Sequence, residues 1–562
     1  MSKSQDDAAV ALTPMLSNLL YCRQDINVFD DAVLNAQRIT LSAIAALVLV
    51  IGVAPLLAMF TASVTIDGTL SLMHYQALAS SRRAWALLGQ SLTLSSLTAL
   101  CGTALGVPLG VLLGKTDLPL KRLFVVLFTL PLLLPPYLLA VAWSVVLGRG
   151  GWLSEMAGVS LAEVGPAGLF GLGGSVLVLT TVFMPVAMLL TMAYLRTVDP
   201  HLEEAGRLVA RWPRVLSGIT LPMIRPGLVW AALLIFLLAV GEVSVPMYLR
   251  YDVFPVEILT QFSAFYDFGA ATAAAVPLAL LTVTVLVVEG RFSGALRPYM
   301  RGFRGYAEGS VIRLGAACVG WCLAVGSICV VLVILPLGGL ALQTSPTDYV
   351  DAWSRAADSL LRSLFYAATG ATLLTVLGFF CGVLVHTRAL RAWRWVDFLT
   401  LFLLVLPSPV ICIGLIGLWN RPATDWIYGT PAMILLGYLA QYMALTSRTT
   451  AATLAQIPAS MDEAAAVIGA GWLRRLLTIT VPLARPGLVV AWLIAYIFCL
   501  RDTGITLLVY PPGHDTLPVR ILTLMANAPE GLIAALCVLM MVATFLPLAP
   551  LGLIMKRGRL AL

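Results

Sequence analysis

Glu242 in the segment AVGEVSVP, and the adjacent Arg501 and Asp502 in CLRDTGIT, stand at the ends of long apolar runs. An ionisable group in such a place is costly to keep, so it marks a polar pathway or gate, or else a charge resting at a helix end. A second set of charges lies in two polar stretches: Glu203-Glu204-Ala205-Gly206 followed by Trp212, and Asp462-Glu463-Ala464-Ala465 followed by Gly469 and Trp472. A carboxylate beside Ala and Gly on an amphipathic helix lets another backbone approach closely while the acid caps a helix start or meets a basic partner. An ordinary amphipathic helix lying on a membrane surface would have the same composition.

Bond-making chemistry finds no footing. Gly110-Val111-Leu112-Leu113-Gly114-Lys115-Thr116 places three residues between its glycines, where a nucleotide phosphate loop needs four, and it ends an apolar run with no preceding strand. His74, His201, His386 and His514 are scattered among different loops, without a metal-ligand companion at helical spacing. Neither a glycine-flanked serine elbow nor a pair of catalytic carboxylates is present. Catalytic residues and a resident metal are therefore not expected. The cysteines mostly lie inside apolar runs and read as small buried hydrophobes.

The elements that position these residues follow from composition. Of 562 residues, 60% are hydrophobic and 11% charged, against roughly a quarter charged in a soluble domain. The apolar residues form runs long enough to cross a hydrocarbon core of roughly 30 Å. The first is Ser42 to Ser63, and others fall near 88–114, 123–147, 174–195, 227–247, 270–289, 314–342, 361–385, 397–419, 429–447, 486–500 and 531–555. Lipid cannot satisfy backbone groups, so such runs must be helices. The expectation is an all-α integral membrane protein of about twelve transmembrane helices. Most of the 35 Lys and Arg residues fall in alternate loops, which places both termini in the cytoplasm and assigns the net charge of +7 to membrane orientation rather than to nucleic acid. Residues 1–38, with Asp6, Asp7, Asp30 and Asp31, lack the apolar core of a signal peptide and read as a cytoplasmic extension.

An internal repeat organises the rest. Leu221 to Val229 reads LPMIRPGLV and Val481 to Val489 reads VPLARPGLV, an offset of 260 residues. The polar stretches described above precede both copies. Further upstream, a span beginning at Ser91 leads to Leu130-Pro131 and Pro135-Pro136, and one beginning at Ser363 leads to Leu406-Pro407-Ser408-Pro409. This makes two pseudo-symmetric six-helix halves, 39–289 and 314–562, joined by a basic linker over 290–313 that contains Arg291, Arg297, Arg301 and Arg304. The same offset sets Glu242 opposite Asp502, about one membrane crossing beyond the repeated loop.

The second loop resembles the signature loop of binding-protein-dependent ABC importer permeases. Glu463, Ala464, Ala465, Gly469, Ile479, Val481 and Pro482 stand at that family's spacing. In the first loop Glu204 and Ala205 match, Gly206 replaces the second Ala, Ala210 takes the Gly position, and one residue is missing before Trp212. The segment from Leu500 to Leu508, continuing through Tyr510-Pro511-Pro512 to Arg520, and the segment Leu130 to Trp143 are similar to ferric-iron permeases, with Asp502 where that family usually has Glu.

The resemblance implies a fused permease in which the loops around Glu203, Glu204, Ala205 and Gly206 and around Glu463, Ala464, Ala465 and Gly469 dock ATPase subunits. It further implies two ATPase copies that use ATP and magnesium, a periplasmic binding protein that delivers substrate, the bacterial inner membrane as location, and no cofactor on this chain. Iron(III) is the implied cargo. Phosphonate, thiamine and hexose-phosphate importers share related segments and stay open. Tyr248 and Tyr251 would suit hard ferric iron, but tyrosines at that depth read as membrane anchors. A secondary transporter would also use internal repeats and about twelve helices, but it has no use for a repeated docking loop, and a membrane-embedded enzyme would need a catalytic cluster.

Overall fold

The computed structural model describes residues 37–66, 69–148, 169–294 and 311–547. The expected extension up to residue 36, the linker arginines Arg297, Arg301 and Arg304, and the last expected run beyond 547 lie outside the described residues.

Each expected apolar run that is described is helical. The first half contains α1 (Gln37–Val64), α2 (Arg82–Lys115), α3 (Lys121–Leu133), α4 (Pro136–Leu147), α5 (Leu172–Leu195), α6 (Pro200–Val209), α7 (Leu221–Val240), α8 (Phe254–Ser263) and α9 (Phe268–Gly294). The second contains α10 (Gly315–Leu342), α11 (Pro346–Thr387), α12 (Trp393–Val405), α13 (Ser408–Trp419), α14 (Ala432–Leu454), α15 (Ala459–Val467), α16 (Val481–Leu500), α17 (Leu517–Leu524) and α18 (Glu530–Phe545). A two-residue antiparallel pair, Thr65–Ile66 with Thr69–Leu70, follows α1.

Among the described residues 8 helices are long and apolar enough to cross a membrane, or up to 10 if each bent pair is one span, short of the expected twelve. The remaining two expected runs are α14 and α18. Helix α14 is diluted by Gln441, Thr446 and Ser447, which it tolerates because they are buried by protein and not by lipid, and by the exposed Arg448, which pairs with Asp397. Helix α18 is 16 residues long as described.

Each half breaks one span at the same place. Helices α3 and α4 meet at 106°, and α12 and α13 at 110°. Proline causes both breaks. Leu134 and Leu406, each before a proline, are extended, and Pro135 (φ −55°, ψ 132°) and Pro407 (φ −54°, ψ 132°) repeat one conformation.

The halves are built alike in their cores as well. Helix α2 packs along α5, and α11 along α14, with α7 and α16 closing the two bundles. Glycines permit the close approach. A Cβ at Gly106 would lie 2.6 Å from the Met184 carbonyl oxygen, and one at Gly382 2.8 Å from that of Ser447. Two serines at equivalent positions anchor the helices that follow the repeat: the Phe254 N–H donates to Ser91 Oγ at 2.8 Å, and the Leu517 N–H donates to Ser363 Oγ at 2.6 Å, at the starts of α8 and α17. Helices α1 and α10 cross between halves. Gly52 and Pro55 of α1 lie against Leu403 and Gly414 of the second broken span, while α10 packs on α3 and α4 of the first.

Candidate coupling and translocation sites

Helices α6 and α15 present the two repeated loops. Both loops lead into a π-turn, Leu216–Thr220 and Leu476–Thr480, and then into α7 and α16. Pro222 and Pro482 lack the N–H that would close the preceding α-turn, and the chain widens there. In the longer second loop the turn out of α15 uses Gly469 at φ 79°, where a side chain would be strained. The first loop, one residue shorter, leaves α6 through Ala210 in an extended conformation (φ −144°) and needs no glycine.

One face of each coupling helix is buried. Gly206 packs on Val215 and Ile219, and Ala465 is buried at the equivalent place. The opposite tip carries two apolar side chains in solvent: Leu208 and Val209 at the end of α6, and Val467 and the following Ile468 at the end of α15, are 84% to 89% exposed. Glu204, Ala205, Glu463 and Ala464 are exposed beside those tips. His201 Nδ1 lies 3.6 Å from Glu204 Oε2.

Glu203 does something else. It is fully buried, its Oε2 lies 2.6 Å from Lys115 Nζ, and its Oε1 accepts a hydrogen bond from Thr220 Oγ1 at 2.8 Å. The equivalent acid in the second loop, Asp462, is exposed and pairs with Arg475 at 3.6 Å. Lys115 thus finds its role as the partner of a buried acid. The glycine-bearing segment that contains it forms the last two turns of α2, helical and not a phosphate loop.

At the far ends of α7 and α16, Glu242, Arg501 and Asp502 line one cavity of about 460 Å³, whose wall also includes Pro136 and Ser408 from the two broken spans. Both carboxylates are engaged by the helix starts that follow them. Glu242 Oε1 accepts from the Ser244 N–H at 2.9 Å and from the Ser244 hydroxyl. Asp502 is buried, accepting from Tyr442 Oη at 2.7 Å and from the Ile505 and Thr506 N–H groups at 3.1 and 3.0 Å. Arg501 donates to the Leu132 carbonyl in the other half and sits 4.2 Å from the Phe498 ring. That carbonyl would normally accept from the residue four positions on, which is Pro136 and has no N–H. At the position equivalent to Arg501, Gly241 simply lies against Pro407.

The hydroxyls of Tyr248 and Tyr251 reach Ser144 (2.9 Å) and the Gln90 carbonyl (3.4 Å). Among the described residues no group of three or more His, Cys, Asp or Glu could hold a metal ion.

Residues 106–301 and 374–557 match the family described as binding-protein-dependent transport system inner membrane component. The chain belongs to that family. The two matched segments fall one in each half, so this permease is the fused, two-half form. It is similar to the ferric transport system permease protein FbpB of Actinobacillus pleuropneumoniae, 23% identical over 455 residues that cover 76% of this chain and 65% of that protein. It is similar also to the Fe(3+)-transport system permease protein FbpB 2 of Haemophilus influenzae, 23% identical over 420 residues, 71% of this chain and 76% of that one. The molybdenum transport system permease protein ModB of Escherichia coli is 30% identical over 219 residues, 36% of this chain and 92% of its own length. The permease is accordingly a multi-pass inner membrane transport subunit of the ABC importer class, and its family works with a binding protein.

Lys115, Thr220 and Leu132 escaped the reading of the residues. Lys115 carried a signal, a lone cation closing an apolar run. Leu132 acts through its backbone, and only the double proline four residues on hinted at a carbonyl needing a donor.

Proposed function

We propose that this permease carries iron(III) delivered by a periplasmic binding protein, driven by two copies of a separate ATPase. Twin helices with matched apolar tips support this reading most directly, since they give two ATPase subunits equivalent seats. The tips enter apolar grooves on the ATPases, which bind ATP and magnesium, while this chain holds neither cofactor nor catalytic residue. Both termini and the linker over 290–313 lie in the cytoplasm, and the units 39–289 and 314–562 rock against each other around the cavity at Glu242, Arg501 and Asp502. One copy of the chain supplies both halves.

Iron is favoured by the pattern from Leu500 to Arg520 and by the ferric permeases the chain is similar to. Glu242, Arg501 and Asp502 in the cavity wall are already hydrogen-bonded within the protein, so the cavity suits a cargo in transit and leaves tight recognition to the binding protein. Glu463, in the loop with the family spacing, carries more of the coupling than Glu204.

The test is uptake of radiolabelled ferric iron into proteoliposomes containing this chain, its ATPase and its binding protein, with a phosphonate, thiamine and a hexose phosphate as competitors. Uptake that needs both ATP and the binding protein is expected. ATP-dependent uptake of a competitor alone would remove iron and keep the importer. Gradient-driven uptake without the ATPase would overturn the whole reading.

A further inference from the structure

The two coupling helices are tied to the rest of the fold by different chemistry. In the first half, Lys115 is 5% exposed and Glu203 0% exposed, and with Thr220 they join the end of α2, helix α6 and the π-turn before α7. The same end of α2 also holds the end of the inter-half linker. The Ile312 N–H donates to the Lys115 carbonyl at 2.8 Å, the Asp117 N–H donates to the Ile312 carbonyl at 3.2 Å, and the Leu314 N–H donates to Asp117 Oδ1 at 2.9 Å. In the second half the position equivalent to Lys115 is Thr387, whose hydroxyl turns back on the Val383 carbonyl. There the half-exposed Asp462 carboxylate lies 3.6 Å from the largely buried Arg475, which also donates to the Asp462 carbonyl at 3.4 Å.

A buried, doubly bonded carboxylate resists displacement, because moving it away from its ammonium leaves an uncompensated charge in a low-dielectric site. A pair whose carboxylate is half in solvent and at the longer distance offers less such resistance, because water can replace the partner of the acid. Helix α6 therefore cannot shift without taking α2, α7 and the linker end with it, whereas α15 can tilt on its loop.

We propose that Lys115, Glu203 and Thr220 form a rigid joint that makes the first coupling helix and the end of the inter-half linker at Ile312–Leu314 one mechanical unit. Glu203 and Lys115 are the positioning residues through which force on α6 reaches the membrane helices. The second coupling helix is the compliant one. This rests on the coupling role assigned to α6 above, so the test has one arm that does not depend on that role.

In that arm, amide hydrogen exchange is followed on the full chain in detergent, without partners. In the wild type the amides of 200–209 exchange about 10-fold or more slowly than those of 459–467. Lys115→Met and Glu203→Gln each bring 200–209 to the rate of 459–467 and leave 459–467 unchanged. Glu203→Gln retains an acceptor for Thr220 and only removes the charge, so it stands in if Lys115→Met does not fold. Equal exchange of the two helices in the wild type, or unchanged exchange of 200–209 in the variants, overturns the joint.

In the second arm, the chain is reconstituted with its ATPase and binding protein, and ATP hydrolysed is measured per cargo ion moved. The variants raise that ratio several-fold at normal assembly, a change that a lowered melting temperature alone would not produce. A wild-type ratio in a variant whose 200–209 segment has loosened overturns the mechanical role. If even the wild type hydrolyses no ATP in response to the binding protein, the importer reading fails, while the exchange arm still decides the joint.

Discussion

Arg501→Met is the perturbation that most directly tests whether the cavity between the halves is gated. Arg501 bonds the second half to the Leu132 carbonyl of the first. A hydrogen bond from a charged donor contributes about 1.5–3 kcal/mol, and the guanidinium over the Phe498 ring adds about 0.5–2 kcal/mol. Water admitted to the cavity can take over the Leu132 carbonyl, and Met refills part of the volume, so a net loss of about 2 kcal/mol is expected for the closed arrangement. That corresponds to roughly a 30-fold shift of the closed-to-open ratio at about 1.4 kcal/mol per factor of ten. In an alternating-access cycle, a bond present only when this end is closed must break before the ATP-bound conformation forms. Its loss therefore raises ATP hydrolysis in proteoliposomes that lack both binding protein and cargo. Arg501→Lys, with a cation but no planar fork of donors, gives a smaller rise, and Phe498→Leu smaller still. An unchanged basal rate in Arg501→Met at wild-type expression and melting temperature would refute the reasoning. So would an equal rise from Arg448→Met, whose pair with Asp397 lies on α14 and α12 away from the cavity wall.

Ser91→Ala and Ser363→Ala each strand a buried N–H at a helix start, so each should destabilise the chain by about 1–3 kcal/mol. Thermal unfolding in detergent checks that the two costs match and add in the double variant. Gly378→Ala should cost about 1–3 kcal/mol by overpacking, since its Cβ would meet Thr446 Oγ1 at 2.0 Å. Gly89→Ala, exposed and with nothing within 4 Å, should be neutral or stabilising by up to about 1 kcal/mol through helix propensity. Val209→Asp and Ile468→Asp place a charge on the apolar tips of α6 and α15, and co-purification with the ATPase should fall in each and be lost in the double variant.

The fold was legible to the extent that one solvent dictated it. Lipid forces every long apolar run to be a helix, and the repeated RPGLV segments with their flanking prolines marked the two halves, the broken spans and the loops that became α6 and α15. Helix α14 shows the limit of that logic, because Gln441, Thr446 and Ser447 lower its hydropathy while neighbouring helices take the place of lipid around them. The grouping of Glu242, Arg501 and Asp502 around one cavity also followed from the 260-residue offset. What each does there did not, since backbone N–H groups occupy Asp502 and a backbone carbonyl occupies Arg501, and backbone partners leave no mark in residue type. Glu203 and Glu204 look interchangeable in sequence. One residue of helical phase sends the first into the protein against Lys115 and leaves the second in solvent.

Fusing two halves in one chain permits the differences that matter most here. The scaffold obeys the pseudo-symmetry closely. Ser91 and Ser363 cap equivalent helices, Pro135 and Pro407 share one conformation, and both loops enter the membrane helices through a π-turn. The symmetry fails at two places. At one place a fully buried Lys115–Glu203 pair corresponds to an Asp462–Arg475 pair whose carboxylate is half exposed, and at the other Arg501 stands where the first half has Gly241. In a homodimer any substitution appears twice, so an arginine at the Gly241 position would have to find a donor-hungry carbonyl on both sides. The second broken span offers a poorer one, because the Leu406 carbonyl at its bend already accepts from Gln441 Nε2 at 3.1 Å, and Gly241 lies directly against Pro407. A single cross-half latch is therefore available only to a chain in which the two halves are encoded separately, and Gly241→Arg should fail to reproduce what Arg501 provides. Placing that substitution in an Arg501→Gly background and measuring ATP hydrolysis without binding protein checks this: the basal rate should stay as high as in Arg501→Gly alone, and its return to the wild-type value would show that the latch is indifferent to which half carries it.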